Sequence, residues 1–251
     1  MLELTNLTIG YKDHPVVQHI NLTFTRGEIT TIIGKNGSGK STLLKSATSL
    51  LKSLSGTITL EGKSQQEHTR KEWAKKVAIL SQSHTDSNST VQSLVMHGRY
   101  PYLGFSKRMG EEDYLAVDRA MATMGIESLG EKSLLEISGG ERQKAYLAMA
   151  LAQDTPYIAL DEPGTYLDLA VQKEILRLLI KLKEQGKCII AVMHDLGAAL
   201  EVSDHICLLD RGEVEAYATP EELISSGLIE KVFGVECTKV SSAKGPLYLF
   251  S

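Results

Sequence analysis

The chain is poor in cysteine, proline and tryptophan: of 251 residues, three are Cys, six are Pro and one is Trp. Cys188, Cys207 and Cys237 are odd in number and far apart, with no Cys-x-x-Cys unit. That argues against a disulfide framework or a thiolate metal cluster and reads as reduced thiols in a cytosolic protein. No apolar run approaches the ~20 residues that span a bilayer; the best stretch, Cys188 to Met193, suits a buried strand. Met1-Leu2-Glu3-Leu4-Thr5 holds no basic region leading into an apolar one, so no signal peptide is expected. Positive charge is not in excess either: Lys and Arg number 27 against 31 Asp and Glu, a formal charge of -4. A nucleic-acid partner usually meets a basic face, and none is expected here. Internal repeats and low-complexity segments are also missing, which leaves an ordinary globular chain long enough to bury a large core.

What is present is punctuated alternation. Leu2, Leu4, Leu7 and Ile9, then Ile20, Leu22 and Phe24, predict half-buried strands. Ile29 to Ile33 predicts a buried strand bounded by Gly34, followed by a helix from Lys40 to about Leu51. Gly56 to Gly62 and Val77 to Leu80 read as further strands. From about Gln82 to Gln153 helical spacing takes over. One helix is expected to open at Gly110-Glu111-Glu112 and carry Leu115, Ala122 and Met124; another covers Gly140 to Ala152. Alternation then returns: a strand over Tyr157 to Leu160, and a helix with Val171, Ile175, Leu178, Leu179 and Leu182 on one face, ended by Gly186. Strands follow over Cys188 to Met193 and His205 to Leu209, with a tight hairpin turn at Arg211-Gly212. Pro220-Glu221-Glu222 suits the first turn of a last helical segment, and Glu236 to Ser251 reads as strand-like packing. The order predicts an α/β fold with a mostly parallel, covered sheet and a helical insertion.

Gly34-Lys35-Asn36-Gly37-Ser38-Gly39-Lys40-Ser41 fits the phosphate-loop pattern G-x-x-x-x-G-K-[ST] in full. Glycines at 34, 37 and 39 permit backbone angles closed to other residues and let a ligand approach closely. Inward N–H groups and the start of the following helix form an anion site, and triphosphate is the matching anion. Lys40 supplies a charge for the β- and γ-phosphates, and Ser41 offers a hydroxyl to Mg²⁺.

Tyr157 to Leu160 ends in Asp161 and Glu162, and open α/β sheets bind ligands at the carboxyl ends of strands. Two acids there can divide the work, Asp161 holding Mg²⁺ through a water and Glu162 polarising the attacking water. His194 follows the next strand and is placed to bond a γ-phosphate oxygen. The other histidines, at 14, 19, 68, 84, 97 and 205, get the ordinary structural reading. Gln82, just past Val77 to Leu80, is placed to reach Mg²⁺ or its water; an exposed loop glutamine is the equal alternative. Ser138 with Glu141 makes a capping box before the helix Arg142 to Ala152. A capping box does not need Gly139 and Gly140, which weaken a helix. They fit a second anion-binding helix start, offered to the nucleotide of another subunit.

Together these residues resemble the ATP-binding cassette family. Gly34 to Ser41 is similar to its Walker A loop, Ile158 to Glu162 to its Walker B strand, and Ser138-Gly139-Gly140-Glu141 to its signature motif. Gln82 and His194 match its glutamine loop and switch histidine, and Gly164-Thr165-Tyr166-Leu167-Asp168 the loop ending in an aspartate. The resemblance implies ATP and Mg²⁺ as ligands. Gly34, Asn36, Gly37, Ser38, Gly39, Lys40, Ser41 and Thr42 would hold the phosphates and Tyr11 would stack on adenine. Ser138, Gly139, Gly140 and Asp168 would reach the nucleotide across a head-to-tail homodimer. Ser41, Gln82 and Asp161 would serve the metal, and Glu162, His194 and Gln82 catalysis.

The resemblance further implies one domain over 1–251: 1–82 and 154–251 a P-loop NTPase core (RecA-like) with an N-terminal antiparallel β subdomain, and 83–153 a helical subdomain. Val95 to Tyr102, Ala148 to Gln153 and Tyr166 to Leu169 resemble the iron-chelate, haem and cobalamin importers. That branch implies a membrane permease docked near Tyr100, Tyr102 and Phe105, an indirect periplasmic or extracellular binding protein, and a place on the cytoplasmic face of the membrane. The alternative is a non-transport cassette acting in cofactor assembly or on nucleic acid. Gly164, Ile137 and Lys144 depart from the family's usual threonine or serine, leucine and arginine; Gly164 would loosen the backbone beside Glu162.

Overall fold

Alternating apolar residues pair the first two strands. In the computed structural model, β1 (Leu2–Tyr11) and β2 (His14–Phe24) run antiparallel, with Leu2 against Phe24 and Tyr11 against His14. Lys12 and Asp13 join them at φ 48° and 64°, the positive values that a two-residue turn between twisted strands requires. Next come β3 (Ile29–Gly34), α1 (Lys40–Ala47), β4 (Ser53–Leu60), β5 (Lys63–Ser64), α2 (Arg70–Ala74) and β6 (Val77–Leu80). The next stretch is helical: α3 (Val91–Met96), a 3₁₀ turn at His97–Tyr102, α4 (Glu111–Met124) and α5 (Gly139–Ala152). Then β7 (Tyr157–Asp161), α6 (Leu169–Glu184), β8 (Cys188–Val192), α7 (Leu196–Val202), β9 (His205–Asp210) and β10 (Glu213–Ala218) alternate. Two short helices, α8 (Pro220–Ser225) and α9 (Leu228–Phe233), lead to the hairpin β11 (Cys237–Ser242) and β12 (Gly245–Phe250). The structure describes residues 1–82, 88–104, 108–165, 167–242 and 245–251; His84, Phe105 and Tyr166 lie outside the described residues.

A six-stranded sheet in the order β10-β9-β3-β8-β7-β6 is parallel except for β10 at its edge. A four-stranded antiparallel sheet, β2-β1-β4-β5, lies apart from it. Successive side chains of a strand point to opposite faces, and β8 shows the result. Cys188, Ile190 and Val192 enter one core with α1 and the antiparallel sheet, through Leu43, Phe24 and Leu60. Ile189 and Ala191 enter the other, with Val117 of α4, Ala145 of α5, Leu179 of α6 and Leu200 of α7. The parallel sheet is therefore covered on both faces, which is why its strands are buried along their length and rich in apolar and β-branched residues.

Some expectations change. Helix α1 stops at Ala47, not near Leu51. The Thr48 hydroxyl donates to the carbonyls of Leu44 and Lys45, Ser49 turns to φ 65°, and Leu50 is left exposed. In α4 the buried face is Ala116, Val117, Ala120, Met121 and Met124, while Leu115 and Ala122 face outward. The Arg211-Gly212 turn forms as expected, at φ 46° and 83°. Cys188 and Cys207 are free thiols, and burial pushes both up to about 12, so neither is a reactive thiolate at neutral pH. No helix among the described residues is long and apolar enough to cross a membrane.

Candidate functional site

Four parallel strands deliver their carboxyl ends to one edge. β3 ends at Gly34, β6 runs toward Gln82, β7 ends at Asp161 and β8 runs into Met193-His194. Backbone bonds stitch these ends together: Glu162 N donates to Val192 O at 3.1 Å, and Met193 N to Ile32 O at 3.2 Å.

The loop between β3 and α1 is shaped around its glycines. Gly34, Gly37 and Gly39 take φ 155°, 81° and 103°. A Cβ on Gly34 would clash with the carbonyl oxygen of Leu209, and one on Gly39 with a methyl of Val17. Val17 belongs to β2, so the β1–β2 hairpin rests against the loop, and Tyr11 stands 48% exposed on that hairpin. Thr42 is buried in the first turn of α1, and Asn36 is exposed on the loop. Lys40 is 5% exposed and donates to Gly34 O at 2.8 Å and Lys35 O at 3.1 Å. Burial lowers its pKa, against the upward pull of Glu162 and Asp161. Ser38 Oγ is buried with no hydrogen-bond partner among the described residues. A buried hydroxyl without a partner is costly in isolation, and a buried ammonium bonded only to carbonyls has room for an anion. The cradle fits a triphosphate.

Ser41 Oγ donates to Asp161 Oδ1 at 3.0 Å, which joins the phosphate loop to the acid pair. Burial raises the Asp161 pKa, although the Ser41 bond, Lys45 and Lys40 pull it down; the neighbouring Glu162 charge raises it further. A hydroxyl and one carboxylate, both hard oxygen donors, fit Mg²⁺ bound together with substrate phosphate.

Glu162 is 8% exposed and adopts φ 55°, a left-handed conformation costing about 1–2 kcal/mol for a residue with a side chain. Its carboxylate is the meeting point of three segments. Gln82 Nε2 donates to Oε2 at 2.6 Å, Thr165 Oγ1 donates to the same oxygen at 3.3 Å, and His194 Nε2 lies 2.5 Å from Oε1. Gln82 and His194 thus bond the acid here, where metal water and γ-phosphate were expected. A cavity of about 480 Å³ opens beside them, lined by Glu162, His194, Gln172, Leu169 and Tyr248.

Ser138 stands at the start of α5, exposed, with Gly139 exposed beside it and Gly140 half-buried. Its capping box with Glu141 is formed, and the Glu141 carboxyl is held below the usual range by the Ser138 N–H and hydroxyl. Asp168 is exposed and caps α6 through Val171 N at 3.0 Å. The structure gathers the phosphate loop, Asp161, Glu162, Gln82 and His194 in one site; among the described residues the hydrogen bonds of the Ser138 and Asp168 side chains go to the starts of their own helices. Gly164 takes no positive φ, and a Cβ there would meet Gln172 Cγ at an ordinary 3.6 Å, so the backbone does not demand the glycine. Two supports escaped the sequence reading. Gln143 Nε2 donates to Pro163 O at 2.9 Å, and Gln172 Nε2 to Gly164 O and Leu167 O at 3.3 and 3.0 Å. Both hold the segment after Glu162, and half-buried glutamines on helices carry no signal of that role.

The chain is similar to known proteins over nearly its whole length. The family model described as ABC transporter matches residues 17–165. The petrobactin import ATP-binding protein FpuD of Bacillus anthracis is 41% identical over 94% of this chain and 87% of its own. The ferric enterobactin transport ATP-binding protein FepC of Escherichia coli (strain K12) is 40% identical over 92% and 86%. Among solved structures, the dimeric cassette MJ0796 superposes with a TM-score of 0.77 at 27% identity, covering 88% of this chain and 99% of that one. With the phosphate loop, the paired acids and the glutamine and histidine on one sheet edge, the chain belongs to the ABC transporter family.

Proposed function

We propose that the chain is the ATP-hydrolysing subunit of an importer for an iron–siderophore or a related metal chelate or oxyanion. The family and the import relatives support this, and one observation carries the hydrolytic part: Gln82, Thr165 and His194 converge on Glu162 at the edge that also holds the phosphate loop. The chain divides into a core over 1–82 and 154–251 and a helical subdomain over 83–153, all within one domain.

The residues act in order. The amides from Gly34 to Thr42, with Lys40, bind the triphosphate, and Tyr11 faces the base. Ser41 and Asp161, with Gln82, would hold Mg²⁺, which would draw charge from the phosphate oxygens. Glu162 polarises the attacking water, and His194 and Gln82 set the carboxylate and the γ-phosphate in register. Asp161 and Glu162 need not compete, because one faces the loop hydroxyl and the other the glutamine and histidine. Ser138, Gly139, Gly140 and Asp168 reach the nucleotide of a second copy, so two molecules close head to tail over two ATP. The permease docks at the face after Gln82 that exposes Tyr100, on the cytoplasmic side of the membrane, and a periplasmic or extracellular binding protein delivers the solute to that permease.

Replacing Glu162 by Gln keeps shape and removes the base. ATP affinity should stay within about threefold while turnover falls by about 10²–10⁴, the usual worth of a positioned general base. Single-turnover hydrolysis and equilibrium nucleotide binding measure the two quantities. Near-normal turnover would remove Glu162 from this role.

A further inference from the structure

The helical stretch between β6 and β7 contains a buried cation that hydrolysis does not use. Arg99, on the 3₁₀ turn His97–Tyr102, is 8% exposed. Its Nε donates to Asp113 Oδ1 and its Nη1 to Ala152 O, both at 2.9 Å, and its guanidinium lies 3.8 Å from the centroid of the Tyr102 ring. The Tyr102 hydroxyl donates to Gln153 O at 2.9 Å. Ala152 and Gln153 are the last residue and the C-cap of α5. Carbonyls there have no partner within the helix, and the negative end of the helix favours a cation. The 3₁₀ turn therefore supplies the C-terminal cap of α5 from outside.

The fit is close. A Cβ on Gly98 would clash with Met149 O and lie 3.1 Å from Gln153 N. Asp113, in the first turn of α4, also accepts Gly110 N at 3.0 Å. Gln153 donates onward to the carbonyls of Ala74 and Val77, at the end of α2 and the start of β6. Arg99 thus ties the turn to α4 and α5 together. Its neighbour Tyr100 is 58% exposed, and Ser138 sits at the far end of α5, 14 residues and about 21 Å away at 1.5 Å per residue.

We propose that Arg99 is a positioning residue that transmits the state of the permease-docking face at Tyr100 along α5 to Ser138. This rests on the docking reading given above. A shift of the turn moves both capped carbonyls at once, and a hydrogen-bonded helix follows its last turn as a rod. A guanidinium fork can serve Asp113 and Ala152 O in two directions; a lysine ammonium on a flexible stem does not reproduce that geometry.

The test uses the subunit purified with its permease in lipid nanodiscs and, separately, alone. Arg99→Lys should leave permease affinity and free-subunit ATPase within about twofold and cut permease-dependent stimulation by about fivefold or more, the lower end of typical coupling between sites. Asp113→Asn breaks the same link from α4 and should give the same split. Stimulation kept within twofold in both variants overturns the proposal. So does a loss of equal proportion in free and stimulated activity, which a merely structural arginine would produce. Tyr100→Ala tests the docking reading separately: unchanged permease affinity there rejects that reading, whatever the Arg99 variants do.

Discussion

At the scale of single residues, the site holds groups in states that folding alone would not choose. Asp161 is the plainest case. Its folded pKa is raised by burial, so the folded chain binds the proton more tightly than the unfolded chain. Stability must then fall as pH climbs from the ordinary carboxylate range through the raised folded value, and it stays lower above it. Asp161→Asn removes this cost while keeping an oxygen for Ser41. The nucleotide-free variant should melt above the parent at pH 7, and the difference should shrink as both are acidified below the usual carboxylate range. Thermal melts across pH read this directly; an equal or lower melting temperature at pH 7 would refute it. Stability gained where function is lost is the common trade at active sites.

At the scale of elements, the phosphate loop shows that its glycines are not equivalent. Gly37 has φ 81° with open space around a would-be Cβ, so Gly37→Ala should cost about 1 kcal/mol from backbone conformation alone. At Gly34 the added Cβ meets the Leu209 carbonyl on the neighbouring strand, so Gly34→Ala should cost about 3 kcal/mol as strand and loop move apart. Urea unfolding without nucleotide separates the two, and equal costs would mean the loop relaxes freely. Elements with unbroken buried runs were legible beforehand: β3, β7 and β8 are β-branched or apolar along most of their length because both their faces are covered, and Ser138 with Glu141 announced the start of α5. The end of α1 was not, because Thr48 and Ser49 redirect the chain through local bonds that no period records. Nor was α2, whose five residues bury Trp73 without a repeating pattern. In α4, Leu115 drew attention by its type, but the buried face is Ala116, Val117, Ala120, Met121 and Met124, where small residues share the face with larger ones.

At the scale of the whole molecule, the parallel sheet lies between two cores, and strand ends distant in sequence meet at one edge. The residues of the site could be named from motifs, yet their partners could not. Gln82 and Glu162 are 80 positions apart, and only the sheet order, with β6 beside β7 and β7 beside β8, makes their meeting necessary. Ligand binding should therefore stabilise the molecule globally. Mg·ATP at 100 times its Kd contributes about 2.7 kcal/mol to a protein that binds it only when folded, or roughly 5–10 °C in a chain this long. The Glu162→Gln background, which prevents turnover, should show that rise. Adding Lys40→Ala should abolish most of it, because the charge on the phosphates is gone. A full thermal shift in the double variant would move the triphosphate away from this loop.

Glu162 meets donors from the chain itself on both of its oxygens, all three of them on segments that lie outside the phosphate loop. With Glu162 as the water-activating group, these three donors fix its direction. Fuel therefore meets a group whose aim is already set by three separate stretches of the chain, so a shift in any one of them reaches the chemistry.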